Sequence, residues 1–128
     1  MPFTAIVNHA HVKAALLCSA VDPSASCIVS GRRGTAKSVL CRSVQTIMPR
    51  ITGEDGVARA PRFVVVPLGV SEDRITGTID IDASVRDGAP VFSPGILANA
   101  HEGVLYIDEI NLLDDAALAL IQVLVQTF

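Results

Sequence analysis

The chain has 128 residues, of which 50% are hydrophobic, 18% charged and 4% aromatic, and its formal net charge is −3. This length suits one domain with a buried core, and so apolar a composition excludes intrinsic disorder. The mild acidity argues against nucleic-acid binding driven by attraction to phosphates. Charged residues interrupt the richest apolar stretches, so no membrane-spanning helix is predicted. The N-terminus has no basic region that is followed by an apolar core, so no secretory signal is predicted either.

Helices and strands are predicted to alternate along the chain. Apolar residues recurring at steps of three and four predict helices over 8–21, 38–47, 93–100 and 116–126. Short β-branched runs predict buried strands over 27–30, 63–66 and 104–107, and the mixed segment 68–88 has an alternating stretch at 76–82. The inward-facing residues of the second and last helices are predicted to be Val39, Leu40, Val44, Leu118, Ile121, Leu124 and Val125. This order predicts an α/β fold, with a largely parallel sheet and helices on its faces.

The first predicted strand runs into a glycine-containing loop that ends in Lys37 and Ser38, and a helix follows. This layout is typical of a P-loop, whose backbone N–H groups form a concave anion site. Lys37 would reach the β- and γ-phosphates of a nucleotide, and the Ser38 hydroxyl would ligate Mg²⁺. The alternative is a glycine turn that enters a helix beside an exposed lysine. The predicted nucleotide-binding residues are Gly31, Arg33, Gly34, Thr35, Ala36, Lys37, Ser38 and Val39.

Ala36 departs from the usual P-loop pattern, GxxxxGK[ST], which has glycine at this position. A methyl group is tolerated there if the backbone φ is negative. If φ is positive, the methyl group costs on the order of 1 kcal/mol or more.

The predicted strand 104–107 ends in two acidic residues, Asp108 and Glu109. At the carboxyl end of a strand, Asp108 would hold Mg²⁺ through water, and Glu109 would orient or deprotonate the attacking water as the catalytic residue. The alternative is a strand that is followed by an acidic turn. Both motifs follow predicted strands and stand in P-loop order, about 70 residues apart. The sequence therefore predicts a site for ATP and Mg²⁺.

The segments PLGVSEDR at 67–74, GTID at 77–80 and FSPGILA at 92–98 lead into LYIDEINLLD at 105–114. With GRRGTAKS at 31–38, they resemble the AAA+ module of magnesium chelatase over nearly the whole chain. The D subunit of that family typically reads GRRGTAKS or close to it, whereas the I subunit usually has the complete glycine pattern. The resemblance therefore favours the D subunit over the I subunit.

The resemblance implies a Mg–ATP-binding subunit that supports the ATP-driven insertion of Mg²⁺ into protoporphyrin IX, in chlorophyll biosynthesis. It implies two partners, the AAA+ ring of the I subunit and the porphyrin-binding H subunit, and neither nucleic acid nor membrane insertion. A D subunit would act as a platform for the I ring. The alternatives are the ATP-hydrolysing I subunit itself, or a related cobaltochelatase or MoxR-like AAA+ ATPase. The implied location is the chloroplast stroma of an alga or plant, or the cytoplasm of a photosynthetic bacterium.

The resemblance covers the first part of an AAA+ module. In the AAA+ strand order 5-1-4-3-2, strand 1, at 27–30, lies between strands 5 and 4, and neither of these is among the residues of this chain. Sensor 1, the arginine finger, the helical lid and the integrin-like domain are not among them either. We therefore expect a partial nucleotide-binding domain over 1–128, with exposed strand edges, marginal stability and little ATP hydrolysis of its own. Asn8 and His9 stand where such modules often have Gly-Gln beside the adenine, which leaves the base contacts open.

Overall fold

The computed structural model describes residues 2–22, 24–32, 34–53 and 55–125. The chain divides into two compact units, Met1–Phe63 and Val64–Phe128. Within the described ranges, no helix is long and apolar enough to cross a membrane.

The first unit is mainly helical. Helix α1 covers Ala10–Val21, and helix α2 covers Lys37–Ser43 and continues into a 3₁₀ turn over Val44–Thr46. Antiparallel strands β1 (Ile51–Thr52) and β2 (Ala58–Arg59) form a small hairpin after them. The core of this unit is a cluster of apolar side chains from the N-terminal segment and both helices: Phe3, Ile6, Leu16, Leu40 and Val44.

The predicted strand over 27–30 is wrong, because this run pairs with no segment in the described part of the chain. Cys27 and Val29 are half-buried, while the side chain of Ile28 is 81% exposed. A strand exists only where a neighbouring segment completes its backbone hydrogen bonds. The β-branched composition of this run therefore could not by itself make a strand.

Helix α2 begins close to its predicted start and ends earlier than predicted. Leu40 and Val44 are buried, as the sequence predicted. The inward orientation predicted for Val39 is wrong, since 46% of this residue is exposed. The last turn of the predicted helix narrows to 3₁₀ geometry, and the amide of Ile47 donates to the carbonyl of Val44 at 2.9 Å.

The second unit contains two two-stranded sheets and the helices that surround them. Strand β3 (Phe63–Val66), which begins at the last residue of the first unit, pairs with β6 (Val104–Ile107). Strand β4 (Gly77–Asp80) pairs antiparallel with β5 (Val91–Pro94), with Gly77 opposite Pro94. The helices are α3 (Glu72–Thr76), α4 (Ile81–Asp87), α5 (Ile96–Ala100) and α6 (Asp115–Val125).

Helix α6 packs one face into the core of the second unit. Ala117 and Ile121 are buried, and Leu118 packs against the same core as a half-buried side chain. The core also contains side chains from β3, from α3 and from two loops: Val66, Val70, Ile75 and Leu113. The inward orientation predicted for Val125 is wrong, since 49% of it is exposed. Residue 126, the predicted last residue of this helix, lies outside the described residues.

The alternating stretch at 76–82 splits between a strand and a helix. Strand β4 ends at Asp80, whose side chain accepts a hydrogen bond from the amide of Ala83 at 2.9 Å and so caps α4. The hydroxyl of Ser84 accepts from the amide of Val91 at 2.8 Å and ties α4 to the start of β5. Pro94, predicted in the first turn of a helix, instead ends β5, and Gly95 is the N-cap of α5.

Candidate nucleotide-binding site

The loop before α2 closes around the side chain of Lys37. Its ammonium group donates hydrogen bonds to the carbonyl oxygens of Gly31 and Arg32, both at 2.6 Å. The hydroxyl of Thr35 donates to the same Arg32 carbonyl at 2.8 Å. The positively charged ammonium group of Lys37 is therefore held at the loop that the sequence predicted to bind phosphates. Arg33, predicted as a contact in this loop, lies outside the described residues.

Ala36 enters α2 in a left-handed backbone conformation. Its φ is 57° and its ψ is 22°, and its carbonyl accepts the helical hydrogen bond from the amide of Leu40 at 2.9 Å. Gly34 is also left-handed, with a φ of 79°, and a Cβ built there would meet no atom within 4 Å. For alanine this conformation costs roughly 1–2 kcal/mol. Of the two possibilities given for Ala36, the structure therefore has the one with a positive φ, in which the methyl group is strained.

Ser38 and Val39 are both exposed at the start of α2. They line a groove of about 330 Å³, whose other residues are Arg42, Ser43, Gln45 and Thr46. The guanidinium of Arg42 lies 5.1 Å from the ring centroid of Phe63, a distance typical of a cation–π contact. The Ser38 hydroxyl is thus accessible to a ligand, as a magnesium ligand must be.

The N-terminal segment is held against α1 by a lysine. The ammonium of Lys13 donates to the carbonyl of Ile6 and lies 5.8 Å from the ring centroid of Phe3. Asn8 and His9, the residues that replace Gly-Gln, both have left-handed backbones, with φ values of 66° and 61°. This conformation is one that glycine adopts readily and that asparagine and histidine adopt more often than other residues do.

The two acidic residues follow β6 in the second unit. Leu105 and Ile107 pack against the core of that unit, and alternation along a strand places Tyr106 and Asp108 on the opposite face. Both carboxylates, of Asp108 and of Glu109, belong to exposed residues. They are therefore accessible to solvent and to a bound ion.

One oxygen of Asp108 accepts two hydrogen bonds. The hydroxyl of Tyr106 donates to its Oδ1 at 3.1 Å, and the backbone amide of Glu109 donates to the same atom at 3.1 Å. The contact from Tyr106 was not predicted from the sequence. Its position two residues before Asp108 on a strand was the available signal, because residues at this spacing share a face.

Glu109 has a left-handed backbone, with φ 49° and ψ 52°. It is the N-cap of a 3₁₀ turn over Ile110–Leu112, and its carbonyl accepts from the amide of Leu112 at 2.8 Å. Strained backbone conformations in non-glycine residues cluster at functional sites, where the surrounding structure holds them. Glu109, the predicted catalytic residue, stands at such a position.

The predicted magnesium ligands are oxygen donors, one in each unit of the chain. Mg²⁺ prefers oxygen ligands and is usually held by one or two protein groups, with phosphates and water completing its shell. Ser38 offers a hydroxyl and Asp108 a carboxylate. Among the described residues, no group of three or more His, Cys, Asp or Glu side chains could hold a metal ion by itself.

A sequence model of the family described as magnesium chelatase, subunit ChlI, matches residues 2–125. The chain belongs to this family. The magnesium chelatase resemblance inferred from the motifs is thereby confirmed, whereas the preference for the D subunit is not, since the family is described by its I subunit.

Relatives in the magnesium chelatase family come from algae and bacteria. The chain is 38% identical to magnesium-chelatase subunit ChlI of Pyropia yezoensis over 144 aligned positions, with 89% of this chain and 41% of that protein covered. It is 42% identical to the magnesium-chelatase 38 kDa subunit of Rhodobacter capsulatus, with 89% and 39% covered. It is 44% identical over 115 positions to uncharacterized protein Rv2850c of Mycobacterium tuberculosis, with 89% and 18% covered. The chain thus spans less than half of these relatives.

A solved structure shares the fold of the whole chain. It is described as a model of the complex between subunits BchI and BchD of magnesium chelatase, based on a cryo-EM reconstruction. The TM-score is 0.84 at 37% sequence identity, and the match covers 99% of this chain and 47% of the other. This likeness confirms the predicted α/β class of an AAA+ module, a parallel sheet with flanking helices.

Proposed function

We propose that the chain is the Mg–ATP-binding part of an AAA+ subunit of magnesium chelatase, the enzyme that inserts Mg²⁺ into protoporphyrin IX. The observation that supports this proposal is the position of Lys37 at the predicted P-loop. Its ammonium group donates hydrogen bonds to the carbonyl oxygens of Gly31 and Arg32. A lysine held in this way is a positive charge fixed beside the loop, and phosphate binding requires such a charge together with backbone amides.

Each residue of the proposed site has a defined task. Bound Mg–ATP supplies a phosphoanhydride bond whose hydrolysis releases free energy. Lys37 provides the charge that neutralises phosphate oxygens, and Ser38 and Asp108 provide oxygen ligands for the cation. Glu109 orients the attacking water or accepts its proton. The other proposed nucleotide-binding residues act through the backbone of the loop and of the first turn of α2: Gly31, Arg33, Gly34, Thr35, Ala36 and Val39.

The names of the relatives favour an I-type subunit. Both the matching family and the algal relative carry the name ChlI. An I-type subunit hydrolyses ATP, and Glu109 at the end of β6 is the residue that such a role requires. This chain spans less than half of those relatives, so the proposed ATPase activity belongs to a protein that also supplies the remaining AAA+ elements, including the arginine finger.

One observation favours a D-type platform as the second candidate. Ala36 keeps a strained backbone at the position where a P-loop has glycine.

The proposed partners are a second AAA+ subunit of magnesium chelatase and the porphyrin-binding H subunit. The solved structure that shares the fold is described as a complex of BchI with BchD, so the neighbour of this fold assembles with another subunit. The proposed location is the chloroplast stroma of an alga or plant, or the cytoplasm of a photosynthetic bacterium.

Thermal unfolding with and without Mg–ATPγS tests nucleotide binding. At a ligand concentration of about 100 times Kd, binding stabilises the folded chain by roughly 2.7 kcal/mol, which raises Tm by several degrees. Lys37→Ala should abolish this shift. Arg50→Ala removes an exposed positive charge from the same unit and should leave the shift intact. The proposal is wrong if the wild-type chain shows a clear transition that Mg–ATPγS does not move.

Reconstitution of chelatase activity separates the two subunit types. The protein that contains this chain would be combined with purified partner subunits, and Mg²⁺ insertion and ATP hydrolysis would be followed. An I-type subunit should lose both activities on Glu109→Gln. A D-type platform should support the partner's activity equally well with glutamate or glutamine at this position.

A further inference from the structure

We infer that Tyr106 is a positioning residue for the magnesium ion, because its hydroxyl fixes the orientation of the Asp108 carboxylate. The inference rests on the proposed Mg–ATP site. Its structural basis is the hydrogen bond from the Tyr106 hydroxyl to Asp108 Oδ1 at 3.1 Å, within the second unit.

The strand determines that the two side chains meet. Leu105 and Ile107 are anchored in the core, so the face between them, which carries Tyr106 and then Asp108, points away from it. Tyr106 is half-buried while Asp108 is exposed. The Tyr106 ring is therefore partly packed within the second unit, while its hydroxyl bonds to an exposed carboxylate. Without this bond the Asp108 side chain would be freer to rotate in solvent.

The two oxygens of the Asp108 carboxylate differ in their hydrogen bonds. Oδ1 accepts from the Tyr106 hydroxyl and from the Glu109 amide, both at 3.1 Å. In the described part of the chain, Oδ2 accepts no hydrogen bond from another residue. A carboxylate held through one oxygen offers the other in a constant direction. Outer-shell partners that orient a ligand in this way commonly change metal affinity by about 10–100-fold when removed.

The contact also couples Asp108 to Glu109. The Glu109 amide that bonds Oδ1 belongs to a residue with a left-handed backbone. Loss of the tyrosine hydroxyl would leave Asp108 with that one donor and free its side chain to turn. We expect the affinity for Mg²⁺ to fall, while Mg-free nucleotide binding through the P-loop is kept.

Titration of Mg²⁺ at fixed fluorescent ATP analogue tests this inference on the wild type, Tyr106→Phe and Asp108→Asn. The midpoint for Mg²⁺ should rise about tenfold in Tyr106→Phe, at the lower end of outer-shell effects because the contact is exposed. Binding of the analogue in EDTA should be unchanged. In the Asp108→Asn background, Tyr106→Phe should add nothing. A midpoint within about twofold of wild type overturns the inference, whereas no analogue binding by the wild type overturns the proposed function as well.

A second measurement needs no substitution at position 106. Tyr106 is the only tyrosine in the chain and there is no tryptophan, so its ultraviolet emission reports on this site alone. Phenol emission responds to hydrogen bonding with a carboxylate. Addition of Mg²⁺ to the nucleotide-bound chain should change that emission in the wild type and leave it constant in Asp108→Asn. Equal changes in both proteins would contradict the inference, even if Tyr106→Phe failed to fold.

Discussion

Ala36 accepts the helical hydrogen bond of α2 from the amide of Leu40 at 2.9 Å, although its own backbone is left-handed, with φ at 57°. An alanine methyl group crowds the following carbonyl in this conformation, and a glycine does not. The turn into the helix thus has a backbone conformation that suits glycine, although the residue is alanine.

The first prediction concerns that strain. Ala36→Gly should raise the free energy of unfolding by about 1 kcal/mol, because it removes the steric cost of the left-handed backbone. Chemical denaturation followed by circular dichroism measures the change. Ala14→Gly is the matched control: it lies exposed inside α1, where glycine should lower stability by about 1 kcal/mol. A loss of stability on Ala36→Gly would contradict the strain argument.

Glu109 provides the second prediction, because strain and proposed catalysis coincide there. Glu109→Gly should be about 1 kcal/mol more stable than Glu109→Gln, since glycine relieves the left-handed backbone and glutamine does not. Both variants should retain Mg-dependent nucleotide binding, and both should lose any hydrolysis that depends on the carboxylate. Paired unfolding curves and nucleotide titrations measure these effects. If glycine were the less stable variant, the backbone at position 109 would not be under strain.

The sequence predicted β3, β6 and α6 of the second unit, whereas it did not predict α3, α4 or β5. Val104–Ile107 contains two β-branched residues and pairs with β3. The run at 27–30 also contains two β-branched residues, but it has no strand partner among the described residues. Strand formation depends on a second segment, which the composition of a run does not reveal. The same limit applies to the small hairpin of β1 and β2, which the sequence analysis did not predict.

The candidate site was predicted as residue types and spacing, and the structure adds conformation. The motif indicated Lys37 and Asp108, but not that the lysine is held by the carbonyls of Gly31 and Arg32. It left the sign of φ at Ala36 open, since a sequence pattern does not contain dihedral angles. The contact of Tyr106 with Asp108 also depends on a rotamer, which follows from the packing around the strand.

Gly95 is the subject of the third prediction. A Cβ at this buried position would lie 2.4 Å from both the amide nitrogen of Gly77 and the carbonyl oxygen of Ile75. Both of these atoms belong to backbone, so they cannot turn away. Gly95→Ala should therefore cost about 3 kcal/mol or more, at the upper end of overpacking effects.

The control for Gly95 is Gly69→Ala. Gly69 has a φ of 69°, but a Cβ there would meet no atom within 4 Å. Only the left-handed backbone should matter at this position, with a loss of about 1 kcal/mol. Urea denaturation of the two variants compares the costs directly. Equal losses would show that the junctions of β4 and β5 can separate more easily than the contacts indicate.

The last prediction concerns acid sensitivity at the end of α1. The hydroxyl and then the amide of Ser24 donate to Asp22 Oδ1, at 2.7 and 3.0 Å, and these bonds hold the pKa of the Asp22 carboxyl below its ordinary value of 3.8. A carboxyl with a lowered pKa in the folded state stabilises the fold above the unfolded-state value. That contribution is lost as the pH falls through the folded-state pKa.

The stability advantage of the wild type over Asp22→Asn should thus be constant near about pH 5 and shrink below about pH 3.8. Ser24→Ala removes the hydroxyl donor, which lowers the pKa most. In a Ser24→Ala background, the advantage of aspartate over asparagine at position 22 should therefore be smaller at the higher pH as well. Urea midpoints measured across this range decide the matter, and an advantage that grew on acidification would mean that the folded chain raises this pKa instead.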